Sequence, residues 1–376
     1  MKFLLVNHEY PPVGGGAATA TQAIAHKLTE FGHEVRVLTS RYRDLPGSGF
    51  EDHVAICRVR CFRRRRDQSN LFEMLTFTVS SLWRLPLLLK RDKPDAVIAF
   101  FSLPSGLTGL IAKLLSGAPY IISLRGGDVP GLVPELDSIH KIISPLRRLV
   151  LKYARAVVAN SEGLRALSEA SDSFPVCVIP NGVDTELFQP RAASSISSQP
   201  GESLHVLFVG RFHEQKNLEF LFRQIARLGA DSFELHLVGD GPEEKRLRSL
   251  AGQLGIEKSI VWHGWVARTA LPGTYQSSDC LVNPSLYEGM PNVVLEAMAC
   301  GLPVLASNIK GHDEIVVNNE TGLLFDLGEP DALISAFKRM LDVDLRRRMG
   351  VSGRARAVTV FSWRTTAEKY LQLFSR

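Results

Sequence analysis

Two carboxylates, two cations and a run of glycines have the types and spacing to do chemistry. In SLYEGMPNVVLEAMACGLPV (Ser285–Val304), Glu288 precedes a glycine, and Glu296 sits within the apolar run Val293, Val294, Leu295, Ala297, Met298, Ala299. A carboxylate in such a run is costly unless something pairs with it. Glu296 therefore reads either as half of an internal salt bridge or as an acceptor for a ligand's hydroxyls. In GRFHEQKN (Gly210–Asn217), Arg211 and Lys216 flank a turn. A guanidinium fork beside a point charge suits a diphosphate, although two such cations can equally be solvated surface charge. The third feature is Gly14-Gly15-Gly16, which lets the backbone approach a phosphate where a helix begins. The dinucleotide fingerprint fails at its third glycine, where Thr19 stands. A tight strand-to-helix turn is the alternative reading of these glycines, and a nicotinamide-dependent oxidoreductase is disfavoured.

These residues need elements to hold them. Lys2–Val6, Glu34–Thr39, Asp95–Phe100, Pro119–Leu124 and Ala156–Asn160 are apolar runs of strand length, most of them separated by helical patterns. The alternation stops at PRAASSISSQPGES (Pro190–Ser203), a Ser/Pro/Ala-rich linker, and restarts with Leu204–Gly210, Glu234–Asp240, Ser259–Gly264, Asp279–Ser285 and Leu302–Ser307. Near-continuous apolar strands alternating with helices predict parallel sheets covered on both faces, here two α/β domains of Rossmann type. The glycine loop follows the first strand, and Arg211 and Lys216 follow the strand that opens the second domain. Pro291 fits a first helical turn and Gly301 a helix stop. The amides near Asn292 and Val293 then point at the same sheet edge as Arg211 and Lys216.

A chain of 376 residues exceeds what one core usually serves, which agrees with two domains. Its net charge of +5 favours anionic partners. Cys57, Cys61, Cys177, Cys280 and Cys300 form no paired CxxC pattern and fit reduced thiols in the cytosol. MKFLLVNHEY turns polar too soon for a signal peptide, and no apolar stretch is long enough to span a membrane.

Taken together, the motifs resemble the retaining GT-B glycosyltransferases of family 4 over nearly the whole chain. PPVGGGA is similar to the family's first loop and GRFHEQKN to its R-x4-K element. LVGDGPEEKRL and VWHGWV resemble its middle strands, ANSEGLR and VIPNGVD the domain junction. SLYEGMPNVVLEAMACGLPV carries Glu-x7-Glu, and FSWRTTAEKYLQLF resembles the closing helix. The resemblance implies two Rossmann-like domains facing a central cleft. Residues 1–190 would bind the acceptor, 191–203 would link, 204–360 would bind the sugar nucleotide, and the helix 361–376 would cross back onto the first domain.

The resemblance also implies roles. Gly15 and Gly16 would approach the donor diphosphate through the backbone, and Arg211 and Lys216 would neutralise it. Glu288, with the amides of Met290, Asn292 and Val293, would hold the transferred sugar and distal phosphate. Glu296 would take the ribose hydroxyls, and the base would lie against Trp265–Val266. The leaving phosphate would accept the acceptor's proton, so no metal or other cofactor is expected. UDP-sugars are the expected donors and GDP-mannose the next. The acceptor would be a glycan or lipid-linked glycan of bacterial surface polysaccharide synthesis. The chain departs from the family at LRGGDVPG, where Arg125 stands in place of a usual histidine while Asp128 is retained. An arginine brings positive charge there but cannot serve as a base. Asp128 and His8 are candidates on the acceptor side. A non-catalytic sugar-nucleotide-binding protein is the remaining alternative.

Arg63–Arg66 and the stretch Trp83–Arg91 combine basic and apolar residues in the first domain. They read either as a surface for anionic lipid or as a solvated loop beside a packed helix. The first reading places the protein in the cytoplasm, peripheral on the inner membrane face. No nucleic-acid reader motif occurs. His26, His33 and His53 are isolated, and His263 is expected to support a turn, so the histidines offer no metal set by spacing.

Overall fold

The computed structural model describes residues 1–65, 69–191, 203–229 and 233–375. The chain forms two compact units, Met1–Asn181 with Trp363–Arg376, and Gly182–Ser362.

The first unit is built on an eight-stranded sheet of β1 (Lys2–Val6), β2 (Glu34–Ser40), β3 (Ser48–Glu51), β4 (Val54–Val59), β5 (Ala96–Phe100), β6 (Tyr120–Ser123), β7 (Ala156–Ala159) and β8 (Val176–Val178). The strand order is β3-β4-β2-β1-β5-β6-β7-β8. All pairs are parallel except β3 against β4. β1, β5 and β6 are apolar almost throughout because both faces of this sheet are covered. Helix α1 (Gly16–Glu30) packs against the closing helix α12 (Trp363–Ser375). Trp363 and Tyr370 of α12 join the core around Phe3, Ile24 and Ile98, with Leu371 and Phe374 partly buried against it. Helices α2 (Leu71–Asp92), α3 (Ser105–Ser116) and α4 (Asp137–Tyr153) pack in sequence, α2 on α3 and α3 on α4, and α5 (Glu162–Asp172) packs on β7 and β8.

The second unit has six parallel strands, β9 (Leu204–Val209), β10 (Phe233–Val238), β11 (Ile260–Gly264), β12 (Cys280–Asn283), β13 (Val304–Ser307) and β14 (Gly322–Phe325), ordered β11-β10-β9-β12-β13-β14. One face buries α6 (Leu218–Leu228), α7 (Glu244–Gln253) and α10 (Ala332–Met340); the other buries α8 (Leu271–Gln276) and α9 (Asn292–Ala299), with α11 (Val343–Val360) packed on α9.

The division between units falls at Asn181, ahead of the expected boundary at residue 190. The cause is local: the Val183 amide donates to Phe361 O at 2.7 Å, and Phe188 is fully buried in the second unit's core. Most of the expected linker, residues 192–202, lies outside the described residues. All five cysteines are free, and no described helix is long and apolar enough to cross a membrane.

Candidate active site

In the second unit the chain runs from β9 to one side and from β12 to the other, so the crevice opens at the carboxyl ends of these two neighbouring strands. The loop after β9 contains a 3-10 turn, Glu214–Lys216. The loop after β12 carries Glu288. Leu286 N donates to Gln215 O at 2.8 Å, and Gln215 Nε2 donates to Tyr287 O at 2.8 Å, which stitches the two loops together. Across this seam Lys216 Nζ pairs with Glu288 Oε1. The same oxygen accepts from Ser285 Oγ at 2.7 Å. Burial pushes the Glu288 carboxyl up, but Lys216 and the hydrogen bonds from Lys216 and Ser285, joined in acid by protonated His312, outweigh it and hold the group below its ordinary value. Glu288 is therefore ionised at neutral pH, in a pocket that leaves only 9% of its side chain exposed.

The back of this loop rests on Gly311. A Cβ there would lie 2.6 Å from Gly289 O and 2.9 Å from Glu288 O, and φ is +93°, so only glycine fits. Next to it, His312 is fully buried, with Nδ1 2.9 Å from Ser307 O. Burial lowers its pKa, so the ring beside Glu288 is neutral. Ser285, Gln215, Gly311 and His312 are absent from the sequence-based candidates. The glycine a few residues after the β13 run was the one signal available for them.

Helix α9 begins after Pro291, and no side chain caps it. Its N-terminus carries the positive end of the helix dipole at the Met290–Val293 stretch. Inside the helix, Glu296 is buried and accepts from Arg268 Nη1 at 2.9 Å and from Tyr275 Oη at 2.9 Å. Burial raises its pKa against the pull of those two partners. The internal salt bridge thus has its geometry. Each carboxylate oxygen keeps a second lone pair, so the hydroxyl-acceptor reading retains its capacity. Val266 packs partly buried on the same core as α9. Arg211 leaves β9 immediately after Gly210 and is half-buried.

The first unit assembles its own set at the corresponding switch point, the carboxyl ends of β1 and β5. His8 is buried with its ring 4.9 Å from that of Phe101, and desolvation, with Arg63, lowers its pKa to about 3. It is neutral at every physiological pH. Phe101 itself has φ +74°, a left-handed backbone that a bulky residue adopts only under constraint. Gly14 is required at φ +97°, where a Cβ would meet Glu9 Cβ at 2.6 Å. A Cβ on Gly15 would meet nothing within 4 Å, so the loop is open there, although Glu9 Oε2 lies 3.4 Å from the Gly15 amide. α1 starts at Gly16.

Asp128 is spent on the backbone. Its Oδ1 accepts from Arg125 N at 2.9 Å and Gly126 N at 3.2 Å, and its Oδ2 from Ser102 N at 2.6 Å. It shapes the loop. The Arg125 guanidinium donates to Asn181 Oδ1 at 2.7 Å, lies 3.4 Å from Tyr370 Oη, and stacks 4.9 Å over Phe100. Arg63 differs from its expected place on a basic surface: its side chain is 2% exposed and its Nη1 donates to His8 O at 3.2 Å. Arg66 lies outside the described residues.

Each unit is a doubly wound sheet with a side-chain cluster at its strand-order reversal, and two such units in one chain are the architecture of the GT-B fold. Residues 15–182 match the family described as glycosyl transferase 4-like domain, and residues 191–356 match glycosyl transferases group 1. An alpha-maltose-1-phosphate synthase of Mycolicibacterium smegmatis is 32% identical over 72% of this chain and 76% of its own. An Escherichia coli UDP-Gal:alpha-D-GlcNAc-diphosphoundecaprenol alpha-1,3-galactosyltransferase is 30% identical over 79% of each chain. Among solved structures, the fold is similar to sucrose-phosphate synthase from Thermosynechococcus elongatus, with TM-score 0.86 and 24% identity over 100% of this chain and 98% of that one. The chain belongs to the retaining glycosyltransferases of family 4, and uses a nucleotide sugar as donor.

Proposed function

We propose that the protein transfers a sugar from a UDP-sugar, with GDP-mannose the second choice, to a glycan or lipid-linked acceptor in the synthesis of a bacterial surface polysaccharide. The observation that carries this reading is the Lys216–Glu288 pair at the β9/β12 switch point, on the loop that leads into α9. The difficult event is departure of a nucleoside diphosphate from an oxocarbenium-like sugar. Negative charge grows on the leaving phosphate, where Arg211, Lys216 and the N-terminus of α9 lower its energy. Positive charge grows on the sugar, where the ionised Glu288 offsets it, while Glu288 and the Met290, Asn292 and Val293 amides together hold the transferred sugar and the distal phosphate. Glu296 takes the ribose, Val266 borders the base, and the Gly15–Gly16 backbone approaches the diphosphate. The leaving phosphate accepts the acceptor's proton. Arg125 adds fixed positive charge, with His8 and Asp128 on the acceptor side.

The E. coli relative, whose name includes UDP-Gal and a diphosphoundecaprenol, supports a UDP donor and a lipid-linked acceptor. A thermal-shift screen of UDP-sugars, GDP-mannose and NAD tests the donor. At a ligand concentration 100-fold above Kd, binding stabilises the fold by about 2.7 kcal/mol, enough for a clear shift. UDP-sugars are expected to give the largest shift. A larger shift with NAD, or none with any sugar nucleotide, overturns the reading.

The acceptor side includes an anionic bilayer surface. On α2, Leu71, Leu75, Val79, Trp83 and Leu87 are exposed along one face, and Trp83 is 89% exposed. Lys90 and Arg91 are exposed at its end, and Arg64 and Arg65 just before it. An exposed apolar stripe flanked by cations suits lipid head groups. The protein is expected to float with vesicles containing anionic lipid, and Trp83→Ser with Leu75→Ser to stay in the pellet fraction. Equal flotation of the double variant, or flotation indifferent to salt, contradicts this.

A further inference from the structure

We propose that the second unit holds a divalent transition-metal site, for a zinc-like ion, on the half-buried stretch where β9 and β10 pair, with His205, Glu234 and His236 as ligands and His263 behind them. Spacing in the sequence gives no hint of it, because the set is assembled by strand register. β9 and β10 pair with Glu234 opposite His205, and His236 follows two residues along on the same face. On the other side, β10 pairs with β11 with His236 opposite Val261, and His263, two residues further along β11, lies beside His236.

The three candidate ligand atoms lie within 4.8 Å of one another. His236 Nε2 is 3.7 Å from Glu234 Oε1, and His205 Nε2 is 4.0 Å from Glu234 Oε2. Ligands at tetrahedral zinc are about 3.3 Å apart, from bonds of about 2.0–2.1 Å. Closing the site requires the widest of these separations to shorten by about 1.5 Å through side-chain rotation. His236 Nε2 is buried and has no hydrogen-bond partner. Its Nδ1 is 2.9 Å from His263 Nε2. If Nδ1 carries the proton and donates to His263, Nε2 presents its lone pair towards Glu234. A second-shell acceptor of this kind fixes both tautomer and ring orientation at a ligating histidine. The rings stack in order, His205 on His236 at 5.4 Å and His236 on His263 at 5.2 Å.

Two imidazoles and one carboxylate leave a fourth position for water. Borderline N/O ligands of this type select zinc, cobalt or nickel over magnesium or calcium. The metal would bridge β9 and β10, with β11 attached through His263, and so staple the β11 edge of the sheet.

The test uses the full chain, stripped with chelator and titrated with Zn2+ against a chromophoric chelator, with Co2+ as a spectroscopic probe. The expected result is one equivalent of Zn2+ per chain, visible bands for tetrahedral Co2+, and a rise in melting temperature. His236→Gln with Glu234→Gln should abolish uptake while circular dichroism stays unchanged. His263→Ala should weaken binding about 10- to 100-fold without changing the stoichiometry. If the double variant misfolds, His205→Gln alone gives the same reading. No stoichiometric uptake by the wild-type chain, or uptake indifferent to all these substitutions, overturns the proposal.

Discussion

Glu288→Gln is expected to lower turnover by about a hundredfold to a thousandfold, the usual loss when one preorganised electrostatic contact to the transition state is removed. Donor affinity should change by much less. Glutamine keeps the shape and one acceptor oxygen, but removes the negative charge that offsets the oxocarbenium-like sugar. That charge exists at neutral pH because the Lys216 ammonium and hydrogen bonds from Lys216 and Ser285 overcome the desolvation of a nearly buried carboxyl. The sign of its pH dependence follows. A carboxyl whose folded pKa lies below its unfolded value contributes stability above the unfolded pKa and loses it as pH falls through the folded one. Wild-type protein should therefore lose stability on acidification more steeply than Glu288→Gln. The variant should also melt lower at neutral pH, because Lys216 loses its partner.

Glu296→Gln is expected to act on the other kinetic constant. The donor KM should rise about tenfold to a hundredfold, as for loss of charge-assisted hydrogen bonds of about 1.5–3 kcal/mol, with turnover little changed. The linkage here has the opposite sign. Burial, the largest influence, raises the Glu296 pKa above its ordinary value, so ionising this group costs stability as pH rises between the unfolded and folded pKa values. Neutral glutamine escapes that cost. It still accepts from Tyr275, while Arg268, with 34% of its side chain exposed, can turn to solvent. The variant is thus expected to fold and melt close to wild type, which makes a purely structural role for Glu296 easy to recognise.

Much of the architecture was legible in the sequence, for a physical reason. Strands buried on both faces must be apolar along their whole length, so β1, β5, β6, β9 and β12 announced themselves. The elements that escaped were short or peripheral: β3, a four-residue antiparallel strand reading SGFE, β8, three residues reading VCV, and the edge strand β14, four residues reading GLLF. The site was legible by residue type and not by contact. Lys216 and Glu288 were picked out separately, each as a charge in an unusual setting. Their pairing depends on two loops brought together by the β9/β12 neighbour relation, 72 residues apart in sequence. Arg63 shows the reverse. It looked like one of four surface arginines, yet it turns inward to the His8 carbonyl while Arg64 and Arg65 remain outside. The same limit hid His205, Glu234 and His236, which strand register alone brings together.

The most direct test of the account is a steady-state comparison of Glu288→Gln and Glu296→Gln with the sugar nucleotide that the thermal screen selects, following release of the nucleoside diphosphate. The account predicts a split. Glu288→Gln should lose turnover and keep its KM, whereas Glu296→Gln should lose KM and keep its turnover. Equal losses in both constants for both variants would contradict it, and would make the two carboxylates structural.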